Sequence, residues 1–299
     1  MRALAWVDGE VLPVERARLP LLDRGVLYGD GVFEVVRTYG GRPFALDEHL
    51  ARLERSASRI GIALPATAAD IDAVVERLLR EAGAGDAYVR IIVTRGEGPI
   101  GYDPSAARDP RLVVLVAPLP PLPAGLHENG AEVRLVPCSR PTDEARAAGA
   151  KVSDYLANLL ALAEARRAGA YEAVLVGPAG EVLEGASSNV FVVDEQGRLR
   201  TPPTSARILA GITRAHVLEV ARAARLVVEQ RVLFPPDLYG AREAFITSTL
   251  REVVPVVRVD GWTVGDGRPG PVTRALLAAL RERIAAAVRR ERTRSMGVH

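Results

Sequence analysis

The stretch EGASSNVF, residues 184–191, combines polar side chains with apolar, strand-like surroundings. It places a carboxylate, a flexible glycine and two hydroxyls between short apolar segments that are typical of strands. A carboxylate that becomes buried needs a cationic partner, because an isolated buried charge is too costly. Taken alone, Glu184 fits an ordinary surface acid beside a turn, so its interpretation depends on the rest of the chain.

The protein has a single lysine, Lys151, whereas arginine is abundant. Arginine can replace most surface lysines, but its guanidinium keeps its proton, whereas a desolvated lysine amine can attack a carbonyl. From composition alone, the survival of one exposed lysine explains the observation equally well. Lys151 directly precedes a helix predicted from about Ser153 to Ala168, which we expect to fix the direction of its amine.

Two further stretches supply candidate phosphate ligands. Gly211-Ile212-Thr213 opens a helix predicted to run to about Ala224, and free amides at a helix N-terminus bind phosphate well. Ser248-Thr249 ends an apolar strand. Each pattern is common by itself, as an N-cap or as a capped strand end. An amine, a carboxylate and a phosphate cup together meet the three requirements of pyridoxal 5′-phosphate.

Seven motifs are distributed over nearly the whole chain. They are DRGVLYGDGVFE (23–34), HLARL (49–53), EGASSNVF (184–191), TPP (201–203), LAGITR (209–214), EAFITST (243–249) and GDGRPGP (265–271). Together with Lys151 they resemble the class IV, or fold-type IV, pyridoxal-phosphate aminotransferases. That family includes branched-chain aminotransferases, D-amino-acid aminotransferases, R-selective amine transaminases and aminodeoxychorismate lyases.

The resemblance implies roles for individual residues at the cofactor. Lys151 matches the lysine that forms the Schiff base and shuttles the proton, and Glu184 matches the acid that pairs with the pyridine nitrogen. The other implied cofactor contacts are the phosphate ligands Arg52, Ile212, Thr213 and Thr249, the ring-packing Leu209, and Tyr155, which lies near the tyrosine that supports the phenolic oxygen. Branched-chain enzymes often have one more residue between lysine and tyrosine than this chain has. His49 is assigned no chemistry, and a structural or solvated role is expected for it.

The implied substrate pocket favours branched-chain substrates. Tyr88-Val89-Arg90 resembles the Tyr-x-Arg strand of the branched-chain enzymes, and Tyr28 and Phe33 match pocket aromatics there. The stretch Ile100-Gly101-Tyr102 lacks the Arg-x-His pair with which D-amino-acid enzymes often hold the carboxylate.

Other stretches resemble the sequence patterns of the D-amino-acid enzymes, namely residues 23–25, 29–32 and 185–189. Arg95 and Arg251 are further candidates for binding a carboxylate, since a guanidinium fork suits a carboxylate of either substrate hand.

We therefore predict a pyridoxal-phosphate-dependent transaminase that moves an amino group between an α-amino acid, with an L-branched-chain substrate favoured, and a 2-oxo acid such as 2-oxoglutarate or pyruvate. The alternatives are a D-amino-acid or R-amine transaminase, and an aminodeoxychorismate lyase that uses the same lysine without an amino acceptor. A non-enzymatic binder of the cofactor is a remote third possibility. The resemblance also implies a cofactor bound between two domains and a homodimer or higher homo-oligomer that completes the substrate pocket.

A proline-rich segment, PLPPLPAG at residues 118–125, divides the chain. Its prolines remove backbone donors and favour an extended connector. We predict a small α+β domain over residues 1–118, a linker over 119–126, and a larger, mixed α/β-barrel-like cofactor-binding domain over 127–299.

The predicted elements follow from turn and periodicity signals. In the first domain they are hairpins at Asp8-Gly9 and Gly40-Gly41, a helix capped by Asp47, a helix near Asp70–Ala82 and a strand at Tyr88–Thr94. In the second they are strands at Glu172–Val176, Val190–Val193, Arg198–Thr201, Ala244–Ser248 and Val253–Val259, and a last helix from Pro271.

Composition restricts the partners and the compartment. The formal net charge of +2 argues against a nucleic-acid surface, and the Arg289–Arg292 run reads as a solvated helix end. The single cysteine, Cys138, cannot form an intramolecular disulfide and is better explained as a small hydrophobe at a strand end than as a catalytic thiol. No segment is apolar enough to span a bilayer, and the turn at Asp8-Gly9 precedes any signal-peptide core. We expect a cytoplasmic enzyme without a metal site.

Overall fold

The computed structural model describes residues 1–138 and 147–296, with side chains described as far as Arg290. The chain forms two compact units. The first comprises Met1–Pro120, Ala150–Asp154 and the chain from Ile284 onward, and the second comprises Pro121–Gly149 and Tyr155–Arg283. The first boundary therefore falls inside the proline-rich segment.

The predicted assignment of all residues after 126 to the second domain needs correction, since two later segments belong to the first unit. At the earlier of the two, the reason is backbone pairing. Val152 bridges to Val32, and the Ser153 amide donates a hydrogen bond of 2.8 Å to the Gly31 carbonyl.

The first unit is built on an antiparallel sheet. Its strands are β1 (Leu4–Val7), β2 (Glu10–Pro13), β3 (Gly31–Tyr39), β4 (Arg42–Pro43), β5 (Ala87–Thr94) and β6 (Arg111–Pro118). Among the described residues these six strands have the order β2-β1-β6-β5-β3-β4. The predicted hairpins at Asp8-Gly9 and Gly40-Gly41 are confirmed, because β1 pairs with β2 and β3 pairs with β4 across these turns.

Three helices complete this unit: α1 (Arg24–Tyr28), α2 (Leu46–Arg59) and α3 (Ala68–Ala82). Helices α2 and α3 bury Leu53, Ile71 and Leu78 in one core with Val36 and Ile91 of the sheet. At roughly 1.5–3 kcal/mol per fully buried aliphatic side chain, this core stabilises the unit strongly.

The helix starts differ in part from the prediction. Helix α3 begins with a capping box in which Thr67 and Asp70 satisfy each other's backbone amides. Asp47 does not cap α2, because that helix already begins at Leu46 after Ala45, whose φ is 54°. Asp47 instead lies in the first turn, where its charge still favours the positive end of the helix dipole.

The second unit is built on a mixed sheet. Its strands are β7 (Ala131–Pro137), β8 (Glu172–Val176), β9 (Val182–Gly185), β10 (Asn189–Val193), β11 (Leu199–Thr201), β12 (Val228–Gln230), β13 (Glu243–Ser248), β14 (Glu252–Val259) and β15 (Trp262–Thr263). In the described part of the chain eight of them follow the order β12-β11-β10-β13-β14-β7-β8-β9, and β15 pairs with β14. The β7–β8, β7–β14 and β11–β12 pairs are parallel.

The helices of this unit are α4 (Leu126–Asn129), α5 (Leu156–Arg167), α6 (Ile212–Ala223), α7 (Pro235–Tyr239) and α8 (Pro271–Met296), whose end is counted with the first unit. Helix α5 starts three residues later than the predicted Ser153, because the backbone of Val152 and Ser153 is used in pairing with β3. Cys138 is half-buried directly after β7, and Ser139, which follows it, lies outside the described residues. The predicted starts of α6 and α8 agree with the structure to within one residue.

Strands β9 and β12 were not predicted. Each has four residues or fewer, which is too short for an alternating pattern to stand out. Within the described residues, no helix combines the length and the apolar character needed to cross a membrane.

Candidate active site

Lys151 is held by backbone hydrogen bonds to β3 and α2. Its carbonyl accepts a hydrogen bond of 3.0 Å from the Phe33 amide, and its own amide donates one of 3.1 Å to Ser56 Oγ. Its amine nitrogen Nζ lies 4.5 Å from the centroid of the Phe33 ring. The lysine is therefore oriented by β3 and α2, and not by the helix that follows it as the sequence suggested.

A second cation lies against the same ring. The guanidinium carbon of Arg90 is 3.9 Å from the Phe33 centroid, a distance typical of a cation–π contact. Arg90 Nη1 donates to the hydroxyl of Tyr88 at 3.3 Å. The structure thus brings together four of the residues that the sequence singled out: Lys151, Phe33, Tyr88 and Arg90.

Directly beside Phe33, the Glu34 side chain points to the opposite, core side of β3. Its two carboxylate oxygens accept hydrogen bonds of 2.7 Å from Nε and Nη2 of Arg52, and Oε2 also lies 2.7 Å from His49 Nδ1. Glu34 and His49 are almost completely buried, and Arg52 is 5% exposed. His49 is thus structural and not solvated.

The charges of this cluster stabilise one another. Burial by itself would raise the pKa of Glu34, but the hydrogen bonds from Arg52 and His49 outweigh it and lower that pKa to about 2. For His49, burial is the largest influence and lowers the pKa, although Glu34 opposes it. The carboxylate of Glu34 therefore stays ionised, and two nitrogens of Arg52 are committed to it.

In the second unit, Glu184 is the penultimate residue of β9 and is 6% exposed. Its Oε2 accepts a hydrogen bond of 3.0 Å from the Leu209 amide and one of 3.4 Å from Asn189 Nδ2. Asn189 Nδ2 also donates to the Leu209 carbonyl at 3.0 Å. Gly211 must be a glycine, since a Cβ there would lie 2.0 Å from Asn189 Oδ1. The structure thus brings Glu184 and Leu209 together through Asn189.

The predicted phosphate ligands of this unit lie at two element ends. Ile212 and Thr213 form the first turn of α6, whose N-cap Gly211 has no side chain to satisfy their amides. Thr249 follows β13 in the turn that leads to β14. Strand β13 pairs with β10, placing Thr247 opposite Asn189. Tyr155 is half-buried at the N-cap of α5.

Arg95 and Arg251, which the sequence offered as further carboxylate ligands, are both bound to acceptors inside the protein. Arg95 donates from Nε to Asp30 at 2.8 Å, and its other two nitrogens bind the carbonyls of Ile60 and Gly61. Arg251 is paired with Glu172 at 2.7 Å. Because every nitrogen of each guanidinium already donates to an internal acceptor, we expect both to serve the fold before a substrate carboxylate.

The surroundings of Tyr28 are formed by Gly101, Tyr102 and Arg24. Its hydroxyl accepts a hydrogen bond of 3.2 Å from the Gly101 amide, and its ring lies 5.8 Å from that of Tyr102. The guanidinium of Arg24 lies 4.8 Å from the Tyr28 centroid. Tyr28 is therefore held against the loop at residues 100–102.

Comparison with known proteins identifies the family of the chain. A family model described as amino-transferase class IV matches residues 31–259. The chain belongs to the class IV aminotransferases. It is a pyridoxal-phosphate-dependent transaminase of fold type IV, as the sequence predicted.

Three relatives illustrate the similarity. A Methanocaldococcus jannaschii protein, provisionally named a branched-chain-amino-acid aminotransferase, is 38% identical over 91% of this chain and 93% of its own length. The D-alanine aminotransferase of Bacillus licheniformis is 35% identical over 93% of this chain and 95% of that protein. The crystal structure of the Escherichia coli branched-chain amino acid aminotransferase superposes with a TM-score of 0.85 at 31% identity, covering 92% of this chain and 92% of that chain.

The side chains of this aminotransferase fit its cofactor by their chemistry. Lys151 supplies an amine, Glu184 a buried carboxylate, and the first turn of α6 supplies uncapped amides. Among the residues that the structure describes, no group of three or more His, Cys, Asp and Glu side chains is arranged to hold a metal ion.

Sequence reasoning missed the partners of these groups, above all Glu34, Ser56, Glu172 and Asn189. A signal for Glu34 was present, because it alternates with Val32 and Val36 on the core face of β3. His49 and Arg52 lie three residues apart on the buried face of α2. A carboxylate in an apolar row opposite a histidine and an arginine in another apolar row indicates a buried ion pair.

Proposed function

We propose that this aminotransferase transfers the amino group of L-branched-chain amino acids to a 2-oxo acid such as 2-oxoglutarate or pyruvate. The observation that carries the proposal is the contact of both Lys151 and Arg90 with the ring of Phe33. A nucleophilic amine and a carboxylate-binding fork on one aromatic ring suit a substrate that has an amino group, a carboxylate and an apolar side chain. Relatives and structural neighbours named as branched-chain aminotransferases support this substrate class.

Bound pyridoxal 5′-phosphate supplies the electron sink that weakens the bond to the substrate's α-hydrogen. Lys151 would then have two tasks: its Nζ would serve as the nucleophile that holds the cofactor, and afterwards as the base that accepts the proton from the substrate's α-carbon and passes it on. Its backbone contacts with Phe33 and Ser56 hold the amine in place for both tasks.

Glu184 is the partner of the pyridine nitrogen in this proposal. The Leu209 amide and Asn189 orient its carboxylate, and a buried carboxylate keeps a nearby nitrogen protonated. Arg52, the first-turn residues Ile212 and Thr213, and Thr249 hold the phosphate. Leu209 packs on the ring, and Tyr155 supports the phenolic oxygen.

Arg90 binds the substrate carboxylate, with Tyr88 as its hydrogen-bonding neighbour. An arginine side chain does not lose its proton, so Arg90 provides a fixed positive charge and leaves proton transfer to Lys151. Phe33 contacts both cations and offers apolar surface to a branched side chain.

We further propose a homodimer. The first unit exposes a set of large apolar side chains: Leu21 is 75% exposed, Ile100 82% and Tyr102 89%. Hydrogen bonds from Arg24 and to Tyr28 hold the loop that carries Ile100 and Tyr102. A preorganised apolar surface of this kind is typical of a protein interface. An active monomer in sedimentation at assay concentrations would overturn this assignment.

The single half-buried cysteine suits a reducing compartment, and we place the enzyme in the cytoplasm on that basis.

The deciding experiment is an amino-donor screen with paired L- and D-amino acids, followed by the absorption of the bound cofactor. We expect L-leucine, L-isoleucine and L-valine to change the spectrum and to form glutamate from 2-oxoglutarate. A response confined to D-alanine would favour the D-amino-acid alternative, which the similarity to the D-alanine aminotransferase supports. Pyruvate release from aminodeoxychorismate without an acceptor would identify a lyase.

A further inference from the structure

Arg251, in the turn between β13 and β14, donates hydrogen bonds from all three of its nitrogens. Nε bonds Ser248 Oγ at 2.9 Å, and Nη1 bonds Glu172 Oε2 at 2.7 Å. Nη2 bonds the carbonyl of Ser187 at 3.0 Å and its hydroxyl at 2.9 Å. One guanidinium therefore ties its own turn to the turn between β9 and β10.

Glu172, at the start of β8, is the anion of this arrangement and is completely buried. Besides Arg251, its Oε2 accepts a hydrogen bond of 2.8 Å from Ser187 Oγ, and Oε1 accepts one of 3.2 Å from the Ala173 amide. Burial acts to lower the pKa of Arg251, but Glu172 and Tyr171 outweigh it and raise that pKa. The pair thus joins a completely buried carboxylate to a half-buried guanidinium at 2.7 Å, with further hydrogen bonds to both groups.

The two turns that meet at this ion pair flank residues of the proposed cofactor site. One carries Thr249, and the other lies between Glu184 and Asn189. The β10–β13 ladder ends with Asn189 opposite Thr247, so both turns lie just beyond the last backbone pair. Glu252, which follows Arg251, has a φ of 61°, a conformation that a non-glycine residue keeps where its surroundings hold it.

We infer that Arg251 and Glu172 form a clamp that positions Thr249 for the cofactor phosphate. This inference rests on the proposed role of Thr249. Arg251 acts through that turn and does not itself touch the phosphate, since all its nitrogens are bound within the protein.

The test compares two ligands that differ only in the phosphate. Arg251→Lys keeps the charge beside Glu172 but loses the fork to Ser187 and Ser248. We expect the dissociation constant for pyridoxal 5′-phosphate to rise about tenfold, the order of one lost hydrogen bond to a charged group. The constant for pyridoxal, which has no phosphate, should change less than about twofold. A merely structural role would raise both constants by the same factor.

Three further variants make the outcome decisive. Arg200→Lys is the matched control, because Arg200 pairs with Asp194 and Glu229 in the same sheet without reaching either turn. In this variant the ratio of the dissociation constants for pyridoxal 5′-phosphate and pyridoxal should equal that of the wild type. Ser187→Ala removes two hydrogen bonds, the one that Ser187 Oγ donates to Glu172 and the one that it accepts from Arg251, without removing a charge. It should shift the ratio in the same direction as Arg251→Lys even if the lysine variant folds poorly.

Thr249→Ala separates this inference from the proposed function. If Thr249→Ala leaves the ratio unchanged, the assigned role of Thr249 and the clamp fail together. If Thr249→Ala shifts the ratio while Arg251→Lys and Ser187→Ala leave it unchanged, the clamp alone is overturned.

Discussion

Glu34 and Arg52 form a two-pronged ion pair in the interior of the first unit, with both hydrogen bonds 2.7 Å long. The paired geometry fixes the plane of the guanidinium, because each carboxylate oxygen takes one nitrogen. His49 approaches Oε2 of the same carboxylate. Arg52, proposed here as a phosphate ligand, is therefore oriented by a carboxylate of its own unit.

Glu34→Gln should lower the free energy of unfolding of the cofactor-free enzyme at pH 7 by about 3–5 kcal/mol, because it leaves Arg52 as an uncompensated buried charge. The measurement is urea denaturation. The matched control is Glu81→Gln, which breaks the exposed pair with Arg77 and should cost less than about 0.5 kcal/mol. Equal losses in the two variants would show that burial does not strengthen the Glu34 pair.

The contribution of Glu34 should disappear in acid. The pKa of Glu34 is 4.5 in its ordinary state and about 2 in the folded protein, so the unfolded chain binds the proton more readily. The stabilisation is present above pH 4.5 and is lost as the pH falls towards 2. The difference in the free energy of unfolding between wild type and Glu34→Gln, measured by urea denaturation at each pH, should shrink over this range. A difference that grows on acidification would contradict the prediction.

Lys151→Arg should abolish transamination, since the charge is kept while the nucleophile is lost. Borohydride reduction of the wild-type holoenzyme, followed by peptide mass mapping, should recover the pyridoxyl group on Lys151. Recovery of the label on another residue, or a fully active Lys151→Arg enzyme, would refute the assignment.

Glu184→Gln should reduce kcat by more than about tenfold while changing cofactor affinity less, because the carboxylate maintains the charge on the pyridine nitrogen and the phosphate ligands supply much of the binding. Stopped-flow turnover and equilibrium titration of the cofactor separate the two effects. A variant with normal turnover would remove Glu184 from the mechanism.

Arg90→Leu should raise KM for amino acids by about tenfold to a hundredfold, in line with the loss of a charge-assisted hydrogen bond of about 1.5–3 kcal/mol. For amines that lack a carboxylate, KM should change little. Arg42→Leu is a suitable control, because Arg42 lies in β4, beside Tyr39, the last residue of β3, and pairs with Glu76. An equal effect of Arg90→Leu on both substrate classes would make Arg90 structural.

Much of the fold was predictable, because it depends on local signals. The Asp8-Gly9 and Gly40-Gly41 turns identified two hairpins, and Pro271 marked the first residue of α8. The identity of the cofactor was predictable for a different reason, since the lone lysine and seven motifs spread over nearly the whole chain together resemble the family.

The partners of the ionisable groups were not predictable in this way. Arg95 and Arg251 were candidate carboxylate ligands in the sequence, yet in the structure each donates hydrogen bonds to internal acceptors, which lie up to 79 residues away along the chain. A hydrogen bond of that span depends on strand register and on how turns approach one another, which a linear pattern does not contain.

The sequence by itself determined the family and the cofactor, because those depend on which chemical groups and motifs the chain contains, and it leaves Lys151 as the single lysine for the proposed role of nucleophile. Only the tertiary structure decided which arginine faces Phe33 and which are committed to Asp30, Glu34 and Glu172. The physical reason is that a buried guanidinium must satisfy its charge and its donors locally, and the acceptors within reach are determined by packing.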